Sequence, residues 1–385
     1  MASVLRVPAM QDLKPISSKP TLIFPPEIVA KRLKLALERV LVPYDFMAGR
    51  FKLNQQSGRL EIDCNSAGAG FVVASSEYSL DDLGDFVYPN LGFRQLAAQT
   101  LGNLGPEVDQ PLCVFQVTSF KCGGFCIGMS TNHVLFDGGA ARIFMENLAS
   151  QAFEDKPLAI MPCHNRRLLA ARSPPTWSFL IPSFSSPISQ LDKAKGNGTR
   201  TTKITSFNVV SALIWRCKAL SKDGEYNNKD RVSTLLNVVD LKSRLNPALP
   251  DSYCGNAVLV AYSSARCEDV EKWGFPKLVE MVGEGQKRVS DEYIRSMIDW
   301  LEIYNGVPHG EYMVSSWMRL RFEEVEYPWG KDVQSGPVVS HRKDICWIFG
   351  DAGGVVHALV SLPPKEMETF VACFRHFFPQ SIITN

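Results

Sequence analysis

The sequence predicts an α/β protein of two similar lobes, each a mixed β-sheet flanked by helices. Three observations carry this expectation. The chain has 385 residues, more than one hydrophobic core ordinarily serves and enough for two domains of common size. Strand-like and helix-like stretches interleave without the regular β-α-β alternation of an all-parallel sheet. A Pro-, Ser- and Lys-rich stretch near the middle, RSPPTWSFLIPSFSSPISQLDKAKGNGTRTTK, has no sustained hydrophobic period and reads as a crossover. We therefore expect a first lobe over 1–172, a crossover over 173–204 and a second lobe over 205–385.

Residues 25–41, PPEIVAKRLKLALERVL, repeat apolar side chains at Val29, Leu33, Ala36, Leu37 and Val40. Lys and Arg occupy the opposite side, the spacing of an amphipathic helix. RLEID and GFVVAS follow as strands between Gly-rich and polar connectors. PLCVFQVTSF and FCIGMSTNH are β-rich runs joined by KCGG, which predicts an antiparallel pair. AARIFMENLASQAF, 140–153, is the next helix. After the crossover, TSFNVVSALIWRCKALS reads as a helix capped by Thr205 or Ser206. STLLNVVDL and AVLVAYSSA are strands, and Glu268 to about Tyr304 is a long helical region. SSWMRL, ICWIFG and VVHALVSLP are strands before a closing helix, PKEMETFVACFRHFF.

Composition excludes several partners. Lys plus Arg total 41 against 40 Asp plus Glu, so there is no electrostatic footprint for nucleic acid or an anionic membrane. No stretch holds the run of about 18 apolar residues that spans a bilayer, so no membrane insertion is expected. The opening MASVLRVPAMQDLKP lacks the apolar core of a secretory signal. Several of the ten cysteines lie in apolar runs such as PLCVF and SYCGNAV. That usage suits small hydrophobes in a reduced, cytoplasmic setting. KCGGFC holds the closest cysteine pair, but no second pair or His spacing completes a zinc site, and no metal is expected.

The stretch TNHVLFDGGA places His133 four residues before Asp137. Gly138 and Gly139 follow and break helix propensity where a helix would start. Asp137 then reads as an inward-facing turn or cap residue. Spacing alone favours an ordinary strand-to-helix corner. The chemistry also suits a general base: a lone His with no Ser or Cys nucleophile beside it can deprotonate an acceptor hydroxyl or amine directly.

The segment NHVLFDG resembles the His-x-x-x-Asp-Gly motif of the plant BAHD acyltransferases. Four further blocks are similar in the same order: LVPYDFMAGRF, SFNVVSALIWRCKA, NVVDLKSRLNPALPDSYCGNAV and SSWMRLRFEEVEYPWGKDVQSGPVVSHRKDI. The resemblance implies the chloramphenicol-acetyltransferase-like fold, with an active-site channel between two lobes. It implies a CoA-dependent acyltransferase in which His133 takes the acceptor proton and no acyl-enzyme forms. Acyl-CoA is then a co-substrate, with no permanently bound cofactor. The acceptor is a small-molecule alcohol or amine, and the protein is a monomer. The acyl group expected is hydroxycinnamoyl or another aromatic. The wording of VPYDFMAGR and EYPWGK is similar to members that act on long-chain hydroxy acids, fatty alcohols or monolignols. The alternative is a relative without transferase activity, either an accessory factor in lipid elongation or a lyase reusing the channel.

Residue by residue, the resemblance implies that Asp137 pairs with Arg244 of DLKSR and, with Gly138, supports the corner. It implies that Trp317 and Ser315 stand beside the His, where donors would serve the developing oxyanion. Ser206 and Phe207 open a helix, a suitable place for a CoA phosphate, and Arg342 and Lys343 of HRK are further phosphate candidates. The sequence departs from the pattern at Glu326–Tyr327–Pro328–Trp329–Gly330, where Pro328 stands for a Gly and must change the local turn. No Leu-Ser-x-x-Asp segment is found between Pro20 and Thr21.

Overall fold

The apolar stripe Val29, Leu33, Ala36, Leu37 and Val40 is buried along one face of a helix that starts at Pro26. Proline suits that position, since the first turn has no use for its missing N–H. The computed structural model describes residues 2–7, 24–84, 91–101, 110–176, 204–221, 230–304, 310–338, 345–350, 356–377 and 383–384. The first half of the chain runs β1 (Ala2–Val7), α1 (Pro26–Val40), β2 (Arg50–Leu53), β3 (Leu60–Asp63), β4 (Gly70–Ser76), β5 (Cys113–Phe120), β6 (Phe125–Thr131) and α2 (Gly138–Ala152). There follow α3 (Ser206–Leu220), β7 (Val232–Asp240), β8 (Val258–Arg266), α4 (Cys267–Lys272), α5 (Phe275–Lys287) and α6 (Asp291–Ile303). The remainder is β9 (Tyr312–Ser316), β10 (Glu326–Tyr327), β11 (Gly330–Lys331), β12 (Ile345–Gly350), β13 (Val356–Ser361), α7 (Pro364–Phe377) and β14 (Ile383–Thr384).

The long helical region expected over 268–304 is three helices. Their starts are written locally: Pro276 lies in the first turn of α5, and the Ser290 side chain accepts the Tyr293 N–H to cap α6. Thr205 caps α3, its hydroxyl accepting the Asn208 N–H at 3.2 Å.

Both main sheets are mixed. In the first, β4 runs parallel to β5, and β5 pairs antiparallel with β6 from Cys113↔Thr131 to Ser119↔Phe125. Helices α1 and α2 cover it, and Leu33, Phe115, Leu135, Phe144 and Leu148 form its dry centre. The second sheet has the order β14-β1-β13-β12-β9-β7-β8, with β9 parallel to both neighbours. Trp215 of α3, Leu235, Val314, Ile348 and Phe370 of α7 lie in its core. A smaller cluster around Tyr253, Ile294 and Met297 sits under α6.

Among the described residues, segments of each half cross to the other. β1 pairs antiparallel with β13, from Ala2↔Ser361 to Val7↔Val356, so the first strand of the chain completes the second sheet. In the other direction, Val325 and Tyr327 are buried in the first lobe's core. Trp329 stacks on Tyr327 at 5.2 Å and meets Phe125 edge-on at 5.9 Å. Pro328 and Trp329 form the two-residue tip of the β10–β11 hairpin, and Gly330 takes φ +108°, which favours glycine. The division at 172 and 205 thus describes chain order, and the sheets exchange pieces across it.

Of the expected crossover, 177–203 lie outside the described residues, but its start is firmly docked. Asp299 of α6 is buried and accepts the Arg172 N–H at 2.7 Å, Arg172 Nε at 2.6 Å and the Thr176 N–H at 2.8 Å. Burial pushes the carboxyl pKa up, but the Thr176 amide and the Arg172 guanidinium and amide outweigh it, so the group sits below its ordinary range. A lowered native pKa stabilises the fold above the unfolded value, and this contribution disappears as pH falls through the native value. Asp299→Asn should cost about 1–3 kcal/mol near neutral pH. Melting curves of the two proteins should converge in acid; a constant difference from neutral to acid pH would contradict the assignment.

Candidate active site

The His133 corner is set by an alternation of exposure. His133 and Val134 are exposed, while Leu135 and Phe136 are buried beneath them. The chain bends sharply to allow this. Asn132 N donates to the Leu112 carbonyl at 2.8 Å, Leu135 N to the Asn132 carbonyl at 3.1 Å, and Val134 N to Asn132 Oδ1 at 3.1 Å. Among the described residues, neither ring nitrogen of His133 has a hydrogen-bond partner.

Asp137 is buried, and both of its oxygens are engaged by backbone. Oδ1 accepts the Ala140 N–H at 2.9 Å, capping α2 as its position before the glycines predicts. Oδ2 accepts the Ala257 N–H of the second lobe at 2.8 Å. The expected pairing with Arg244 does not form. Arg244 Nη1 donates instead to the Gln286 carbonyl at 2.7 Å and the Val289 carbonyl at 3.1 Å, at the end of α5. The reason is physical: a carboxylate accepting two buried amides is satisfied, and a cation gains more at the unpaired carbonyls ending a helix. Burial lowers the Arg244 pKa, with Asp240 opposing it. The cation of DLKSR nearest the corner is Lys242, whose Nζ would lie 3.8 Å from a Cβ on Gly139.

The corner is also held through the His itself. Asn256 Nδ2 donates to the His133 carbonyl at 2.8 Å. Asn256 and Ala257 are consecutive, so one short second-lobe segment grips both ends of the His-x-x-x-Asp stretch. Asn256 was not singled out from the sequence; its signal was there, as the polar residue before Ala257 in the quoted SYCGNAV block.

Ser315 lies near the end of β9, and Trp317 opens the turn that follows it. β9 ends at Ser316, earlier than the expected strand SSWMRL, because the chain turns after Trp317: Leu320 N donates to the Trp317 carbonyl at 2.9 Å. Trp317 N is tied to the Ile348 carbonyl at 2.7 Å, and its ring lies 5.8 Å from Phe322. The start of α2 abuts this turn. A Cβ on Gly138 would stand 2.7 Å from Leu320 Cδ1, and Arg142 Nε donates to the Arg321 carbonyl at 2.8 Å. Trp317 and Ser315 are half-buried, and among the described residues the indole N–H and the Ser315 hydroxyl have no partner.

Ser206 and Phe207 form the first turn of α3, Ser206 exposed and Phe207 packed against the second core. No hydrogen bond or ring contact among the described residues ties them to the corner. Arg342 and Lys343 lie outside the described residues. Among the described residues no group of three or more His, Cys, Asp or Glu side chains is arranged for a metal ion. Likewise no helix among them is long and apolar enough to cross a membrane. A cleft of about 390 Å³ opens elsewhere, between the second half of α2 and residues 324–326; Glu146, Phe153 and Lys156 line it, and the corner does not.

Comparison with known proteins follows the same outline. A model of the Transferase family matches residues 17–192 and 179–377. The chain is 48% identical over 398 aligned residues to Acyltransferase GLAUCE of Arabidopsis thaliana, covering 94% of this chain and 87% of that one. It is 30% identical to omega-hydroxypalmitate O-feruloyl transferase of the same organism, covering 88% and 80%. Its fold superposes on that of TRI101 from F. sporotrichioides, a structure in complex with coenzyme A and T-2. There the TM-score is 0.69 at 15% identity, with 99% of this chain and 95% of that chain covered.

Proposed function

Because the chain belongs to the BAHD acyltransferases of the Transferase family, we propose that it carries an acyl group from acyl-CoA to the hydroxyl of a small-molecule acceptor, with His133 as general base. One observation supports this above the rest. His133 is exposed with its ring nitrogens unengaged among the described residues, while its carbonyl is held by Asn256 and the Asp137 carboxylate by two amides. A ring free at its nitrogens on a backbone held on both sides is what direct proton abstraction needs.

In the proposed reaction, the acceptor oxygen attacks the thioester carbonyl carbon as its proton passes to the imidazole. The negative charge that develops on the carbonyl oxygen needs donors. We assign that task to the indole N–H of Trp317 and the hydroxyl of Ser315. Collapse breaks the carbon–sulfur bond, and the CoA thiolate takes the proton from the imidazolium. No step requires an acyl-enzyme, so no activated Ser or Cys is needed. For the CoA phosphates, the start of α3 offers unpaired N–H groups at a helix N-terminus.

The donor class we favour is hydroxycinnamoyl and the acceptor class long-chain hydroxy compounds, a pairing that the feruloyl transferase relative carries in its name. The test is to incubate the purified protein with a panel of acyl-CoAs and alcohols, amines and ω-hydroxy acids, and to read products by mass spectrometry. We expect an ester from an aromatic acyl-CoA and a hydroxyl acceptor. CoA at about 100 times its Kd should also raise stability by about 2.7 kcal/mol. Absence of any ester or amide product together with an unshifted Tm would sink the reading.

A further inference from the structure

Arg166, on a short 3-10 turn (Arg166–Leu169) near the end of the first lobe, enters neither the sequence-derived site nor the reaction above. Its guanidinium nevertheless touches the corner. Nη2 donates to the carbonyl of Leu135, midway between His133 and Asp137, at 2.7 Å. The same guanidinium lies 4.9 Å above the Phe46 ring and beside buried Tyr253, whose phenol pKa burial raises and the nearby guanidinium opposes. A Cβ on Gly255 would overlap Nη1, so the close approach of the second-lobe segment depends on glycine there. Among the described residues no carboxylate pairs with Arg166. One donor reaches a carbonyl of the His corner, and the guanidinium packs between an aromatic ring of the first lobe and the Tyr253–Gly255 segment of the second.

Taking His133 as the base, we propose that Arg166 is its positioning residue: the planar fork joins the Leu135 carbonyl to the Tyr253–Gly255 segment and holds the His133 ring at one height against both lobes. Asn256 holds the corner at the His133 carbonyl, and Arg166 holds it two residues further on. With Arg166 gone, the corner keeps its ends, held by Asn256 and Ala257, but its middle is free to shift. Arg166 is itself partly exposed, so water fills the space it leaves and the fold tolerates its loss. A displacement of about 1 Å at a reacting group, by contrast, costs on the order of 100-fold in rate. Lysine retains the charge but lacks the planar fork, and cannot donate to the carbonyl while lying over the Phe46 ring and against the Tyr253–Gly255 segment.

The experiment compares Arg166→Met, Arg166→Lys and the neighbouring control Arg167→Met. Both Arg166 variants should lose about 10- to 100-fold in kcat, with KM for acyl-CoA unchanged within about twofold and Tm nearly unchanged. Free guanidinium at sub-denaturing concentration should restore part of the kcat of Arg166→Ala. A second readout does not depend on turnover. In protein labelled with ¹³C at histidine, the His133 ring resonance, assigned by its loss in His133→Gln, should shift and broaden in Arg166→Met but not in Arg167→Met. Wild-type kcat in Arg166→Lys, or an unmoved His133 resonance in Arg166→Met, overturns the proposal. A wild-type protein with no transferase activity but a resonance that moves with Arg166 defeats the functional reading while leaving the positioning role in place.

Discussion

His133→Ala and His133→Gln should lower acyl transfer by roughly two to four orders of magnitude, the usual contribution of a positioned proton acceptor. Neither should change Tm appreciably. The His133 side chain is exposed, and the tether from Asn256 reaches its backbone carbonyl, which both variants keep. A change confined to the ring therefore separates chemistry from folding. Steady-state rates with the best donor and acceptor pair, set beside melting curves, provide the check. Turnover at the wild-type rate in His133→Ala would remove it as the base, and a large fall in Tm would mean that the ring has structural duties these contacts do not reveal.

Asp137→Ala should instead act on the fold. It removes the cap of α2, worth about 0.5–2 kcal/mol, and leaves the Ala257 N–H buried without a partner, at about 1–3 kcal/mol. A combined loss of about 2–4 kcal/mol is expected in chemical denaturation, with activity falling because the corner loses its link to the second lobe. Asp137→Asn keeps one acceptor oxygen but turns an NH2 toward an amide, so it should recover only part of the loss. The Arg244 contacts permit a sharper statement. Arg244→Met should destabilise the α5–α6 junction, and its effect should add to that of Asp137→Ala within about 0.5 kcal/mol. A coupling of several kcal/mol between the two would restore the ion pair expected from resemblance.

Local chemistry was legible in the sequence. The Val29–Val40 stripe, the β5–β6 pair and the caps at Thr205 and Asp137 each depend on residues a few positions apart, where periodicity and side-chain type decide the outcome. What was not legible lies in contacts between distant segments. Whether Asp137 takes a guanidinium or two amides turns on ångström differences between segments some 100 residues apart. The choice of Arg244 rather than Lys242 as the neighbouring cation followed a motif position, and motif positions do not encode that distance. Arg166 escaped notice for the same reason. In HNRRLL it stands in a run of polar and basic residues that reads as solvated surface, and only the fold brings it to the Leu135 carbonyl.

The placement of β1 also bears on how the protein is made. Residues 2–7 are made about 350 residues before their partner β13, roughly 20–70 s ahead at ordinary rates of synthesis. During that interval β1 has no β13 edge to join, and the second sheet cannot close until β13 has been made. Slowing synthesis just ahead of β13 should therefore prolong the life of an open-edged intermediate, the kind of species on which chaperones act and from which aggregates grow.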